Sequence, residues 1–152
     1  QWKVLPARKG QSHPKEVLAR LRQYDREAGA GAHDELWLVV DRDSWTETDL
    51  DVVARAVADL PKYHLALSNP CFELWLVLHR RETSAKSCSQ LQEILRGELG
   101  HYAKNDYDVE ALKPGVGDAI ARAERLDSAH HDPWPRQCGT HVYRLVRKLV
   151  AG

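Results

Sequence analysis

Three short apolar runs, each followed by a stretch with helical periodicity, constrain the fold of this chain more than any other feature of its sequence. The runs cover residues 2–6, 36–40 and 63–67. The second run, "LWLVV", shows no polar alternation, which is typical of a strand covered on both faces of its sheet. Alternating strands and helices predict a parallel sheet whose strands are joined by right-handed crossovers.

The segments between and after these runs carry helix signals. Pro14 occupies a favoured first position for the first helix, and Pro61 follows the end of the second. Both Ser44-x-x-Glu47 and Thr46-x-x-Asp49 have the form of a capping box at the start of that second helix. Further helices are expected over residues 87–99, 108–129 with a break near Pro114, and 140–150. We therefore expect an α/β fold with a compact parallel sheet flanked by helices and a helical C-terminal half.

Composition narrows the class of protein. The chain of 152 residues is long enough for one domain with its own core, and its 22 basic residues balance 22 acidic ones. Three widely spaced cysteines favour a reducing compartment and argue against a disulfide framework or a zinc site. No apolar run reaches the length of a membrane span. A cytoplasmic protein without a membrane partner is the expectation.

Two acids follow the second apolar run. Asp41 and Asp43 flank Arg42, and side-chain alternation along an extended chain would point both carboxylates the same way. Ligands of open α/β sheets bind outside the carboxyl ends of the strands, and Mg²⁺ accepts one or two carboxylates together with phosphate oxygens. The alternative is turn chemistry, in which these side chains cap exposed backbone N–H groups. The pattern alone leaves both interpretations open.

The run "SNPCFELWLVLH" (68–79) is more specific. Asn69 is a natural N-cap with Pro70 at the first helical position, and the helix that follows is apolar on nearly all sides. Such a helix is buried, yet it carries Glu73 in its first turn. A buried carboxylate must be paired, ligated or stabilised by the helix dipole. If the strands at 36–40 and 63–67 are parallel neighbours, Asn69 and Glu73 open onto the same edge as the two aspartates.

The remaining candidates are weaker. His79 is expected to hydrogen-bond structure within the buried helix. Lys104, Asn105 and Tyr107 in "HYAKNDYD" are compatible with binding phosphate or stacking on a base, and equally with a solvated linker. His130 and His131 are expected in a solvated loop.

Five blocks together resemble one family: "VVDRDSW", "ALSNPCFELWLVLH", "YAKNDYD", "AIARAERLD" and "GTHVYRLVRKLV". They are similar to the RloB-like family, which is also grouped with AbiL-type abortive-infection proteins. The resemblance implies a Toprim-like domain with an acidic Mg²⁺ site, in which Asp41 and Asp43 match the D-x-D motif. It also implies a gene neighbourhood with an AAA-type ATPase in phage defence.

The sequence departs from that pattern at its beginning. The Toprim glutamate belongs to a first strand upstream of "WKVLP", and none of Glu16, Glu27 and Glu35 follows a leading strand. We therefore expect a single domain over residues 1–152 without its first strand. Catalytic competence would then depend on upstream residues, for which Glu73 would partly compensate.

The leading hypothesis is a Mg²⁺- or Mn²⁺-dependent nuclease that acts on DNA or RNA beside an ATPase partner, with a homo-oligomer also compatible. The alternative is a non-catalytic module that binds nucleotide or metal within a defence complex. A primase-like phosphotransfer activity is a third hypothesis. The expected metal ligands are Asp41 and Asp43, with Glu73 as a further catalytic residue. The residues expected to position phosphate are Arg42, Asn69 and Lys104.

Overall fold

The sheet contains two parallel strands and one short antiparallel strand. The computed structural model describes residues 2–128 and 130–152. Strand β1 (Leu36–Asp41) pairs in parallel with β2 (Tyr63–Asn69), and β3 (Gly139–Thr140) pairs antiparallel with the end of β2. The α/β class and the parallel pairing of the two main strands are confirmed. The third strand makes the sheet mixed, in the order β1-β2-β3.

The helices follow the sequence signals closely. They are α1 (Pro14–Ala28), α2 (Glu47–Ala58), α3 (Glu73–Leu78), α4 (Cys88–Leu99), α5 (Val109–Leu112), α6 (Val116–Leu126) and α7 (Val142–Ala151). The expected break at Pro114 is a 3₁₀ turn over Lys113–Gly115 that separates α5 from α6. Within the described residues, no helix is both long and apolar enough to cross a membrane.

The predicted strand at residues 2–6 is wrong. This segment is irregular, and Trp2 and Val4 are 73% and 70% exposed. Lys3 lies over the ring of Tyr24, 4.8 Å from its centroid. A short apolar run becomes a strand only when a neighbour accepts its backbone hydrogen bonds, because its own residues cannot pair with one another. The sheet of the described residues ends at β1 and gives this segment no such neighbour.

Two layers cover the sheet. On one face, Leu36 and Leu38 pack with Leu18 of α1 and with Val53 and Val57 of α2. On the other face, α3 lies at the centre of the larger cluster, between α4 and α6. All six residues of α3 are buried, as its apolar sequence predicted. Each large side chain buried in this way contributes about 1.5–3 kcal/mol to stability.

The expectation that the widely spaced cysteines are not disulfide-bonded is wrong for one pair. Cys71 and Cys88 form a disulfide with their Cα atoms 6.0 Å apart, while Cys138 is free. Spacing along the chain hides this proximity, since the segment after α3 returns the first residue of α4 to the residues that precede α3.

Candidate functional site

A cavity of about 350 Å³ opens at the carboxyl end of β1. Its polar lining includes Asp41, Asp43, Glu73, Tyr102, Lys104, Asn105 and Tyr107. The structure therefore brings together the three predicted acids and the predicted lysine, which come from three separate parts of the chain. Parallel pairing of β1 with β2 is what places the acids at one edge, as the sequence argument required.

Asp41 is the last residue of β1 and is half-buried. Its Oδ1 accepts a hydrogen bond from the backbone N–H of Phe72 at 2.9 Å, so it also anchors the start of α3. Burial and the neighbouring charge of Glu73 raise the pKa of Asp41 to about 6, against the opposing effect of Lys104. Such a displaced pKa in a cavity is typical of functional sites.

Asp43 lines the cavity, but the side-chain alternation of an extended strand is not what places it there. Its φ of 47° lies in the left-handed region, which Asp tolerates better than most residues. The backbone N–H of Asp43 donates to the carbonyl oxygen of Pro70 at 3.1 Å. The chain has thus left strand geometry when it reaches Asp43, and a turn supplies the shared orientation.

The capping alternative for these aspartates is wrong at α2. Thr46 is the N-cap there, since its hydroxyl oxygen accepts a hydrogen bond from the N–H of Asp49 at 3.1 Å. Asp41 instead satisfies a backbone N–H beside α3, so part of its role is structural.

Glu73 is the first residue of α3 and is only 3% exposed. Gln92 of α4 donates its side-chain N–H to the Glu73 carboxylate at 3.2 Å. Burial, the charge of Glu73 and a hydrogen bond to that carboxylate raise the pKa of Tyr102. Burial and the same charge raise the pKa of Tyr107. Both tyrosines therefore stay protonated beside the acids.

The predicted cap of α3 is wrong. Asn69 belongs to β2, the Asn69–Pro70 peptide is cis, and the helix begins only at Glu73 with Phe72 as its N-cap. The side-chain amide of Asn69 donates to the carbonyl oxygen of Pro135 at 2.9 Å. Asn69 cannot cap a helix while its backbone continues the β2 ladder opposite Gly139.

Arg42 also lies away from the cavity lining. Its guanidinium sits 5.6 Å from the ring centroid of Trp134 and 4.0 Å from the carboxylate of Glu47. The structure thus brings Lys104 to the acids but directs Arg42 and Asn69 toward the segment that contains Trp134 and Pro135.

Tyr102 and Gln92 are site residues that the sequence reasoning missed. An isolated bridge between Ala103 and Asp106 forms a tight turn, which places the rings of Tyr102 and Tyr107 with their centroids 5.4 Å apart. Lys104 lies at the tip of this turn. The spacing of the tyrosines in "HYAKNDYD" was a usable signal for the turn, whereas nothing in the sequence marked Gln92 as a partner of Glu73.

The donor set of the cavity suits a hard divalent cation. Asp41, Asp43 and Glu73 offer only carboxylate oxygens, which Mg²⁺ and Mn²⁺ accept. Among the residues that the structure describes, no group of three or more His, Cys, Asp or Glu side chains is close enough to hold one ion. A cation bound here would take at most two carboxylates and complete its coordination with water or substrate oxygens, as Mg²⁺ commonly does.

The histidines behave as expected. His79 is buried, its Nδ1 lies 2.9 Å from the carbonyl oxygen of Trp75, and burial lowers its pKa. This confirms a structural role. His130 and His131 are exposed on the loop before β3.

Comparison with known proteins supports the family resemblance. The model of the family described as "RloB-like protein" matches residues 2–149, which is nearly the whole chain. A search of curated proteins and a search of solved structures each give no match. The matched region includes both the acidic cavity and the C-terminal helices. The chain is a member of the RloB-like protein family.

Proposed function

We propose that this protein is a metal-dependent nuclease that hydrolyses phosphodiester bonds of nucleic acid with Mg²⁺ or Mn²⁺. The observation that carries the proposal is a pair of acids, the half-buried Asp41 and the buried Glu73, which share one cavity with Lys104. Two carboxylates held close together in a partly buried place destabilise the fold, because each disfavours ionisation of the other. A bound cation removes that repulsion.

The donor chemistry assigns roles within the cavity. Asp41 and Glu73 would hold the cation, in place of the Asp41–Asp43 pair expected from the sequence, because the charge of Glu73 acts on Asp41 more strongly than that of Asp43. Asp43 is an exposed acid in the same cavity. A divalent ion at this place would polarise a phosphodiester or activate a water molecule. Lys104 would attract the phosphate, since an ammonium group binds phosphate as a point charge. The contacts of Arg42 and Asn69 do not support the phosphate-positioning roles expected for them.

A tyrosine extends the proposal to the substrate. Tyr107 is half-buried, lines the same cavity as the acids and remains a neutral phenol, whereas Tyr102 is only 6% exposed and belongs to the core beside it. Aromatic side chains beside a cation are a recurrent platform on which unpaired bases stack. This favours a single-stranded or unpaired segment of nucleic acid over an intact duplex, without distinguishing DNA from RNA.

The test measures cleavage of labelled single-stranded DNA and RNA with Mn²⁺ or Mg²⁺ by wild type, Asp41→Asn and Glu73→Gln. We expect each neutral variant to lose activity by about a hundredfold or more, the range associated with disrupting a metal or electrostatic site. Asp118→Asn, which neutralises an exposed acid on α6, is the matched control and should cleave at the wild-type rate.

A calorimetric titration with Mn²⁺ separates binding from catalysis. Binding that disappears in Asp41→Asn would support the acidic pair as the metal site. Undiminished cleavage in both neutral variants would refute the proposed site.

A second candidate is a non-catalytic module that binds nucleotide or metal. It is favoured by the observation that no three acidic or other ligating side chains converge among the described residues. Under this alternative the chain would bind Mn²⁺ through Asp41 and Glu73 but cleave neither DNA nor RNA, even in the presence of its partner.

The biological setting is proposed from the family resemblance. We propose that the chain acts in the cytoplasm in anti-phage defence, beside an AAA-type ATPase whose gene neighbours that of the family. The Cys71–Cys88 disulfide is unusual for a cytoplasmic protein. Co-purification with the neighbouring ATPase, and loss of phage resistance on Asp41→Asn, would test this setting.

A further inference from the structure

A second cavity lies at the opposite end of α3 from the acidic pair. Its volume is about 610 Å³, and it is formed by the C-terminal end of α3, the segment that follows this helix, and α6. Arg81, Arg122 and Arg125 all line it. Among the described residues that line it, Glu82 is the single acid. The cavity therefore has an excess of positive charge, in contrast to the zero net charge of the whole chain.

The arginines are only partly explained by their contacts within the fold. Arg122 donates one hydrogen bond to the carbonyl oxygen of Leu78 at 2.8 Å, which satisfies the end of α3. A guanidinium carries five N–H donors, so this bond orients Arg122 and leaves donors for another group. Arg125 forms an ion pair with Glu82 at 2.6 Å.

Arg81 has the weakest internal contact. Its Nε lies 3.4 Å from the carbonyl oxygen of Glu82, beyond the usual range of a good N–H···O bond. Three guanidinium groups around one cavity repel one another, and a single carboxylate neutralises one of them. The remaining two positive charges would be neutralised by an anion that accepts hydrogen bonds from several N–H groups at once.

We propose that this arginine cavity is a phosphate-binding site that receives a phosphate group of a nucleotide or of a nucleic-acid strand. Planar guanidinium groups bind phosphate oxygens in pairs of parallel hydrogen bonds, which suits a site with three arginines. The hydroxyls of Thr83 and Ser84 line the same cavity and add donors of the kind that contact phosphate. This proposal rests on residues separate from the acidic cavity and does not depend on nuclease activity.

Substitutions of opposite sign test the site. Arg81→Gln should weaken phosphate binding about tenfold, since one charge-assisted hydrogen-bonding group is removed. Glu82→Gln should tighten it, because the neutralising acid is lost. Arg80→Gln is the matched control: Arg80 is the adjacent residue, has the same charge, pairs with Glu98 at 3.6 Å and does not line the cavity.

Binding is measured by calorimetry on the full chain with three probes: inorganic phosphate, ATP and a short single-stranded oligonucleotide. EDTA is present so that no metal bridges a probe to the acidic cavity. Tight binding of ATP alone would identify a nucleotide as the source of the phosphate, and tight binding of the oligonucleotide alone would identify a strand. Equal losses in Arg80→Gln and Arg81→Gln, or no binding of any probe, would overturn the proposal.

Discussion

Replacing Asp41 by asparagine should stabilise the protein at neutral pH and remove any activity that needs this carboxylate. Asparagine has nearly the same shape, and its side-chain carbonyl oxygen can still accept the hydrogen bond from the N–H of Phe72. What the substitution removes is a negative charge that is partly buried beside Glu73. Its effect on folding therefore reports the cost of burying this charge together with the repulsion from Glu73.

The magnitude follows from the displaced pKa. The pKa of Asp41 is raised from an ordinary 3.8 to about 6. Each tenfold change in an acid constant corresponds to about 1.4 kcal/mol, so the ionised carboxylate destabilises the native state by at most about 3 kcal/mol above pH 6. Because solvent still reaches part of the side chain, we expect a gain of about 1–3 kcal/mol in the free energy of unfolding for Asp41→Asn at pH 8.

The pH dependence of stability shows that the ionised Asp41 carboxylate destabilises the native state. Below pH 3.8 the carboxyl group is protonated in both the native and the unfolded state, so its ionisation does not lower the free energy of unfolding. Between pH 3.8 and about 6 the unfolded chain releases this proton while the native state keeps it, so the wild type loses stability as the pH rises. Urea unfolding of both proteins at pH 5 and pH 8 should show a larger difference at pH 8.

Asp43→Asn is the control for this experiment, because Asp43 is an exposed acid that lines the same cavity. It should change stability much less than Asp41→Asn. A destabilised Asp41→Asn, or a stability difference that is the same at both pH values, would refute the electrostatic argument.

Two further predictions concern the framework around the site. A Cβ on Gly115 would lie 2.2 Å from the backbone oxygen of His79, so Gly115→Ala should lower the unfolding free energy by about 1–3 kcal/mol. The same change at Gly117, which has no such neighbour within 4 Å, should be neutral or add about 0.5 kcal/mol in thermal or urea unfolding; equal effects would contradict the contact. Asp127 accepts hydrogen bonds from Tyr143 at 2.6 Å and Arg144 at 2.8 Å, which outweigh burial and lower the pKa of Asp127 to about 2. Asp127→Asn should therefore cost about 2–4 kcal/mol at pH 7, with the difference from wild type shrinking as the pH falls from 4 toward 2, and an unchanged midpoint would count against the buried network.

Local signals in the sequence were sufficient for most of the helices and for the two main strands. Thr46 and Asp49 are three residues apart, so the cap of α2 depends only on neighbouring residues. The uniform apolar character of α3 likewise predicted its burial without knowledge of its partners. The position of Asp41 and Glu73 at one edge followed from parallel pairing, which the strand–helix alternation indicated.

Long-range contacts account for the errors. Asn69 has the composition of a helix cap, but pairing with Gly139, seventy positions along the chain, extends β2 through it. The hydroxyls of Ser68 and Thr140 lie 2.7 Å apart within the same pairing. The two-residue strand β3 is too short to have a pattern of its own. Partners such as Gln92 for Glu73 are likewise set by the packing of α4 against α3.

The two sides of the acidic cavity differ in how firmly the fold holds them. Asp41 and Glu73 lie on the side that is held by the pairing of β1 with β2 and by the fully buried helix α3. Lys104 lies on a single surface turn, which is closed by the Ala103–Asp106 bridge. A change in the length or sequence of that turn would move Lys104, whose charge opposes the raised pKa of Asp41, while the ladder and the helix still hold the backbones of both acids. The fold thus places the acids on rigid elements and the neighbouring cation on a surface turn.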